Sequence, residues 1–211
     1  MYIPPHFGED RVDVLHQLMK RHGFATLVTL GADGLIANHL PMILDAAPAP
    51  FGILRGHIAR ANPQWRETLA YVEALAIFQG PHAYITPNWY PTRQETQRVV
   101  PTWNYAVVHA HGPLRTFDDP RLLEQHLRTL TDRHEAGFPA PWRVDDVPED
   151  FFQGMLKSIV GIEIPITRLE GKWKMSQNRA PADRAGVIEG LEASGDPDQK
   201  AVAGWVHARN K

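Results

Sequence analysis

The residues best suited to chemistry are gathered in five short segments that combine polar and aromatic side chains. The segments are residues 38–41, 56–65, 79–90, 100–105 and 171–179. Cationic side chains attract anions, and tryptophan rings stack against flat ligands. The five segments are therefore the candidate ligand-binding segments of the chain.

Arg60 is the strongest candidate for binding an anionic group of a ligand. It stands just before a predicted helix start at Asn62 and Pro63, because asparagine can cap a helix and proline fits its first position. A guanidinium beside a helix N-terminus is a favourable place for an anion. The alternative is that Arg60 is only a surface salt-bridge partner.

Four tryptophans could stack on a ring-shaped ligand, although packing in a core or between protomers is the usual role of tryptophan. They are Trp65, Trp89, Trp103 and Trp173. We favour Trp103 and Trp173 as ring contacts. Residues 176–179 also have two interpretations, as ligand contacts or as an ordinary helix cap before Pro181.

The histidines do not predict a metal site. The candidates are His39, His57, His82, His109 and His111. His109 and His111 share one face of a strand, but two imidazoles do not define a zinc or iron site, and the sequence has no HExxH motif. We therefore assign no metal. No Ser-His-Asp order or phosphate-binding loop is visible, so the catalytic residues stay unknown.

Composition narrows the function classes. The 211 residues are 43% hydrophobic, contain no cysteine and carry a formal net charge of −2. Disulfide scaffolds and thiolate chemistry are excluded, and generic nucleic-acid binding is disfavoured. No apolar run reaches the roughly 20 residues of a membrane helix, and the start of the chain lacks a signal pattern. We expect a cytoplasmic protein that does not contact a membrane.

Periodicity predicts many short strands with a few helices. The predicted strands are residues 24–30, 35–44, 51–57, 74–79, 82–86, 102–117, 159–169 and 173–176. The predicted helices are residues 10–22, 64–70, 120–134, 148–156, about 180–193 and about 197–207. The short connections favour an antiparallel sheet, which can avoid open edges by closing into a barrel.

The five segments, in this order, resemble the PaiB family of flavin-binding negative transcriptional regulators, over nearly the whole chain. That family is in turn similar to the pyridoxamine-phosphate-oxidase-like split barrels. The resemblance implies an α+β, mainly β fold: an antiparallel split β-barrel with peripheral helices, homodimeric. It also implies one domain over residues 1–211, with C-terminal helices at about 180–208, and flavin mononucleotide (FMN) between the two chains.

The resemblance also implies which residues contact FMN. Arg60 takes the place of the basic residue that reaches the phosphate, although the oxidases have a Ser-Arg/Lys pair there. His57 stands where related barrels have threonine, and the backbone of residues 38–41 grips the ring edge, except that Pro41 has no N–H. The full implied set is Asn38, His39, Leu40, Pro41, His57, Arg60, Asn62, Trp103, Asn104, Tyr105, Lys174, Ser176, Gln177 and Asn178.

Three functions stay open. The first is a negative transcriptional regulator, or repressor, that senses a ligand; the second is an FMN-dependent oxidoreductase with His57, His82 or Tyr105 near the reactive face. The third and weakest is haem binding. DNA contact would fall on one basic group near the C-terminus, although a solvated surface is the interpretation we favour. That group is Arg179, Arg184, Lys200, Arg209 and Lys211.

Overall fold

The computed structural model describes residues 1–210, which form ten β-strands and seven α-helices. The strands are β1 (Gly8–Glu9), β2 (Phe24–Gly31), β3 (Gly34–Pro41), β4 (Ile43–Asp45), β5 (Ile53–Ala59), β6 (Ala74–Ile85), β7 (Thr102–Gly112), β8 (Arg115–Phe117), β9 (Ile159–Pro165) and β10 (Arg168–Lys174). The helices are α1 (Val12–Arg21), α2 (Gln64–Glu67), α3 (Arg93–Thr96), α4 (Pro120–Glu135), α5 (Glu149–Leu156), α6 (Pro181–Ala193) and α7 (Pro197–Arg209).

The chain divides into two compact units. The first unit comprises residues 1–18, residues 79–109 and the chain from residue 170 onward, and the second comprises residues 19–78 and 110–169. The second unit holds the four-stranded sheet β4-β5-β9-β8 and the paired strands β2 and β3, whereas β1 and most of β6, β7 and β10 belong to the first unit. The strand pairings in both units are antiparallel. The mainly β, antiparallel fold class is therefore confirmed.

The prediction of one strand over residues 35–44 is wrong, because the chain changes sheets at Pro41. Strand β3 pairs with β2 along its whole length, whereas β4 pairs with β5 in the other sheet. Pro41 is the last residue of β3, pairs with Phe24 and has no N–H to offer to a further strand. Between the two strands Met42 donates its N–H to the carbonyl of Gly23 at 2.8 Å.

Two glycines that resembled turn signals lie inside strands. Gly80 lies within β6, so residues 74–85 form one strand rather than the predicted pair; a Cβ there would come within 3.1 Å of the Trp205 ring. Gly171 lies within β10, where a Cβ would be 2.2 Å from a Leu15 methyl carbon. Both glycines allow close packing, and the chain instead turns between β9 and β10.

Proline also divides the predicted strand over residues 102–117. Strand β7 ends at Gly112 and β8 begins at Arg115, with Pro113 between them. Strand β8 then pairs with β9 in the four-stranded sheet. The short β8 leads directly into α4, whose N-cap Asp119 accepts hydrogen bonds from the N–H groups of Arg121 and Leu122.

Helices α4 and α5 share an apolar cluster with the four-stranded sheet. Its buried members are Leu123, Val144, Phe152 and Leu156, and the partly buried Phe117, Leu127, Val147 and Ile159 pack against them. Gly161 on β9 has no side chain because the Phe117 ring occupies that space, 2.3 Å from where a Cβ would stand. This cluster fixes one face of α4 toward the sheet.

The C-terminal helix α7 is fastened to the first unit through a buried acid. Glu9 accepts hydrogen bonds from Arg11 at 2.9 and 2.7 Å and pairs with Arg209 at 2.5 Å. These interactions, chiefly the bond from Arg11, lower the pKa of Glu9 to about 2. Arg209 therefore binds within the protein, and Lys211 of the predicted basic group lies outside the described residues. None of the helices in residues 1–210 is long and apolar enough to cross a membrane.

Candidate functional site

The predicted ligand contacts fall into two groups, one in each unit. The second unit holds Asn38, His39, Leu40, Pro41, His57, Arg60 and Asn62. The first unit holds Trp103, Asn104, Tyr105, Lys174, Ser176, Gln177 and Asn178. Their role in ligand binding stays a prediction, but the structure shows which of these side chains are open to a ligand and which are engaged inside the protein.

An exposed aromatic face lies on β6 and β7 of the first unit. Trp103 is 51% exposed, and its ring lies 5.7 Å from His82 and 6.0 Å from Tyr84, centroid to centroid. His82 and Tyr84 are exposed while Ala83 between them is buried, because successive residues of a strand point to opposite faces. We call these three rings the aromatic face. The Trp103 ring can stack on a planar ligand, and the His82 and Tyr84 rings flank it at 50° and 72° to its plane.

A group of cations adjoins the aromatic face. Lys174 at the end of β10 donates hydrogen bonds from Nζ to the Thr102 hydroxyl and, at 2.8 Å, to the carbonyl oxygen of Trp103. Burial, and then the positive charges of Lys172 and Arg179, lower the pKa of the Lys174 ammonium. Cations that repel each other in this way would be stabilised by an anion. The lysines thus supply what a ring ligand with an anionic group needs.

The residues that follow Lys174 hold the backbone in place. Asn104 is fully buried and donates from Nδ2 to the Ser176 hydroxyl at 2.9 Å. Ser176 has a φ of +60°, a left-handed conformation that this buried bond helps to fix. Gln177 accepts from the N–H of Met175 at 2.6 Å and donates to the Trp173 carbonyl at 2.5 Å. These contacts position Lys174.

The remaining members of the first group differ in exposure. Trp173 is buried and stacks on Trp205 at 6.0 Å, so of the two favoured tryptophans only Trp103 presents its ring to solvent. The Tyr105 ring lies 5.4 Å from the Lys172 ammonium. Asn178 is exposed. Trp103, Tyr105 and Asn178 are therefore the accessible side chains beside the lysines.

In the second unit, Asn38 points inward rather than toward solvent. Its Nδ2 donates to Oε1 of the buried Gln64 at 2.8 Å, and Gln64 Nε2 donates to the Thr29 hydroxyl at 3.1 Å. The amide pair fastens α2 to the β2–β3 hairpin. Neighbouring His39 lies on the opposite, exposed face, where its ring stacks near Phe24 at 6.3 Å. Leu40 is buried.

Arg60 is already engaged by an acid. Its guanidinium contacts both oxygens of Asp118, at 2.5 and 2.9 Å, and donates to the carbonyls of Lys157 and Ile159, each at 2.7 Å. The bond from Arg60 lowers the pKa of Asp118. Asn62 accepts from the N–H of Gln64 at 3.0 Å, as the expected cap of α2. An anion at Arg60 would therefore compete with Asp118.

His57 pairs with His126, a residue that the sequence interpretation missed. His57 Nδ1 lies 3.1 Å from His126 Nε2, so one nitrogen donates and the other accepts. His126 is 5% exposed on α4, among the leucines of its apolar face. Burial, His57 and Arg55 together lower the pKa of His126 from 6.5 to about 4, and burial lowers that of His57. The leucine spacing of residues 122–130 was the available signal, since it places residue 126 on the buried side.

The neutral histidine pair makes stability depend on pH. Because the pKa of His126 is lowered from 6.5 to about 4 by folding, the unfolded chain binds a proton more readily between these values. The pair's contribution to stability is complete above pH 6.5 and is lost as pH falls toward 4. We expect the free energy of unfolding to fall by about 2 kcal/mol between pH 7.5 and 5 from this group, measured by urea unfolding.

A substitution isolates this effect. His126→Gln should flatten the stability profile between pH 7.5 and 5, because glutamine does not titrate. His134→Gln, at an exposed position of the same helix, serves as the control and should keep the wild-type slope. An unchanged slope in His126→Gln would show that the pair does not titrate in this range.

Comparison with known proteins identifies the same family as the sequence segments. The sequence profile of the family described as "Putative FMN-binding domain" matches residues 1–168. The chain is 34% identical over 203 residues to the Bacillus subtilis "Protease synthase and sporulation protein PAI 2", covering 96% of this chain and 95% of that protein. The predicted PaiB resemblance is thus confirmed.

Two solved structures share the fold at low identity. A conserved hypothetical protein from Mycobacterium tuberculosis superposes with a TM-score of 0.58 at 10% identity, covering 85% of this chain and 94% of that one. The "FAD and Heme binding protein" from Mycobacterium smegmatis superposes with a TM-score of 0.55 at 16% identity, covering 78% and 71%. The predicted split-barrel class is therefore confirmed.

Proposed function

The chain belongs to the FMN-binding domain family that includes PAI 2, and from that premise we propose that it binds FMN as a homodimer and acts as a ligand-sensing negative regulator. The observation that carries the flavin proposal is the pairing of an exposed aromatic face with repelling lysines. FMN combines a flat three-ring system with a phosphate of nearly two negative charges at neutral pH, roughly as a phosphorylated side chain does. When bound, it would supply reversible hydride and electron transfer.

Each part of FMN has a counterpart in the first unit. Trp103 offers its ring to the flavin ring, with Tyr84 and His82 extending the surface. Lys174 and Lys172 offer positive charge to the phosphate. Because Lys174 is hydrogen-bonded to the backbone of Trp103, the cation and the ring surface keep a fixed relation.

The second unit would contribute its own group from the resemblance. His57, Asn62 and the backbone of residues 38–41 are proposed contacts to phosphate, ribityl chain and ring edge. Arg60 is the proposed phosphate ligand of this group, and its ion pair with Asp118 must open or be shared for that role. We propose that a second copy of the chain completes the site, so that each FMN is contacted by two protomers.

A homodimer is supported by an apolar strip on the β2–β3 hairpin. In-register pairs place Phe24 beside Pro41, Val28 beside Ala37 and Leu30 beside Leu35 on the same face. Phe24 and Leu35 are 68% and 78% exposed. The polar pair Thr26–His39 lies within this row, and the exposed apolar side chains on either side of it mark a candidate interaction site.

The regulatory part of the proposal follows the name of the Bacillus subtilis relative, which places that protein in protease synthesis and sporulation. The oxidoreductase and haem-binding alternatives have support from the name of the Mycobacterium smegmatis structure, an FAD and haem binding protein. A cytoplasmic location is part of the proposal and stays a prediction.

Substituting each part of the flavin site should change affinity in a distinct way. Trp103→Leu should raise the Kd for both FMN and riboflavin about tenfold, because both have the ring. Lys174→Gln should raise the Kd for FMN but hardly change that for riboflavin, which lacks the phosphate. Flavin fluorescence titration at low salt measures both.

Matched controls test the specificity of these effects. Trp142→Leu removes a tryptophan of similar exposure, and Lys200→Gln removes an exposed lysine of α7. Both controls should bind FMN like the wild type. If Trp103→Leu retained a Kd within twofold of wild type, the aromatic face would not be the ring site.

The FMN-loaded protein separates regulation from catalysis. For a regulator we expect no multiple-turnover oxidation of NADH or NADPH, followed at 340 nm, because sensing a ligand requires no turnover. Sustained turnover would make the oxidoreductase the better assignment. A Soret band after haem addition that is lost in His82→Ala would instead favour haem binding. Direct DNA contact is tested by gel shifts at low salt, in which the affinity must exceed that of an acidic control protein.

Placing a charge in the apolar strip should prevent dimerisation. Leu35→Glu would bury an unpaired carboxylate in the interface, which costs several kcal/mol. We expect a dimer for the wild type and a monomer for Leu35→Glu in sedimentation equilibrium. Tyr71→Glu, at an equally exposed loop position, should stay dimeric, and a monomeric wild type would refute the strip as the interface.

A further inference from the structure

The second unit contains a cavity of about 570 Å³ between the four-stranded sheet and α4. Its volume falls in the range of small-molecule sites. The sheet contributes Ile43, Arg55 and Glu163, and the helix contributes Leu122, His126 and Thr129. None of these is among the predicted flavin contacts, so the cavity requires its own explanation.

The floor of the cavity is a row of in-register residues. Ile43 lies directly opposite Arg55, and Arg55 directly opposite Glu163, so their side chains rise from the same face of the sheet. Arg55 stands between two acids: Nη1 lies 3.3 Å from an oxygen of Asp45, and Nε lies 3.6 Å from an oxygen of Glu163. The floor thus presents Arg55 between two acids, and Arg115 of β8, directly opposite Glu163, lies 4.0 Å from the Glu163 carboxylate on its other side.

The ion pairs of the floor are weak. All three side chains are partly exposed, and the two Arg55 contacts are longer than the 2.7–2.9 Å of good charge-assisted hydrogen bonds. Exposed pairs of this kind contribute little to stability. A ligand with charges of both signs could therefore replace them without leaving any charge unpaired.

The walls of the cavity are mixed. Ile43, Phe117 and Leu122 offer apolar surface, while Thr129 and the exposed Gln125 offer hydrogen bonds. Residues 122, 125, 126 and 129 share one face of α4, as the helical repeat requires. His126 is neutral near pH 7 because its pKa is lowered to about 4, so the lining has a net charge of about −1 from Arg55 and the two acids.

We propose that this cavity binds a small zwitterion with an apolar body, specifically a free α-amino acid with an aliphatic or aromatic side chain. The carboxylate would pair with Arg55, and the ammonium would lie between Asp45 and Glu163. The side chain would pack against Phe117 and Leu122. A ligand with only the carboxylate faces two acids, and one with only the ammonium leaves Arg55 without a new partner, so both charges are required.

Isothermal titration calorimetry of the full-length protein tests this with chemically matched ligands. L-leucine and L-phenylalanine should bind, whereas N-acetyl-L-phenylalanine and L-phenylalaninamide, each lacking one charge, should bind at least tenfold more weakly. Absence of binding by both amino acids, or equal binding of either derivative, would overturn the proposal.

Variants locate the binding site. Arg55→Gln and Glu163→Gln should each weaken L-phenylalanine binding at least tenfold, and Leu122→Trp should do so by filling the cavity at an exposed helix position. Arg121→Gln, the adjacent exposed arginine on α4, should bind like the wild type. Circular dichroism confirms folding of each variant, and unchanged affinity in all three cavity variants would place the amino acid elsewhere.

Two further measurements separate this cavity from the flavin site. Trp103→Leu should bind L-phenylalanine normally, and Arg55→Gln should bind FMN normally; loss of FMN binding in Arg55→Gln would assign the cavity to the flavin and overturn the proposal. Imidazole nitrogen resonances of His126 should shift on adding L-phenylalanine, because His126 lines the cavity. Unshifted resonances would contradict occupancy beside α4.

Discussion

The change of sheets at Pro41 is the constraint on which the second unit depends. Pro41 pairs with Phe24 at the end of β3 and offers no N–H to a further strand, and Met42 donates its N–H to Gly23 before the chain enters β4. Strand β4 can then pair with β5, which builds the four-stranded sheet that α4 covers. In the β2–β3 hairpin, the Asn38–Gln64 amide pair covers the inner face. The outer face carries the apolar strip. The change of sheets after Pro41 therefore separates the exposed strip on the hairpin from the cavity beside the four-stranded sheet.

In the first unit, several contacts hold the flexible Lys174 side chain beside the exposed Trp103 ring. The left-handed Ser176, the buried Asn104 and the Gln177 side chain define the path of the chain after β10. Lys174 is then bonded to the backbone of Trp103. The residues that resembled ligand contacts in the sequence thus divide into a few that are accessible and several that position them.

Much of the fold was accessible from the sequence because the hydrophobic period and the turn residues are local signals. Helices α4, α6 and α7 and strand β2 lie close to their predicted bounds. The errors arose where a local signal had a long-range cause. Gly80 and Gly171 look like turn residues, yet each is small because a side chain distant in sequence packs against it.

Local sequence signals also fail to show the partners of the site residues, because those partners are distant in sequence. Nothing near Arg60 in sequence reveals that Asp118, 58 residues later, would neutralise it, and nothing near His57 points to His126. The family resemblance gave the segments, but only tertiary contacts distinguish accessible groups from engaged ones.

The histidine pair has a consequence for how His57 presents itself. Two neutral imidazoles that meet through Nδ1 and Nε2 share a single proton at the contact. If His126 holds that proton, His57 must be the Nε2–H tautomer, and its outer nitrogen is a hydrogen-bond donor. If His57 holds the proton, its outer nitrogen Nε2 carries a lone pair and is an acceptor. An anion that approaches His57 would therefore select the first arrangement, and the tautomer of the buried His126 ring on α4 would become part of the anion's recognition.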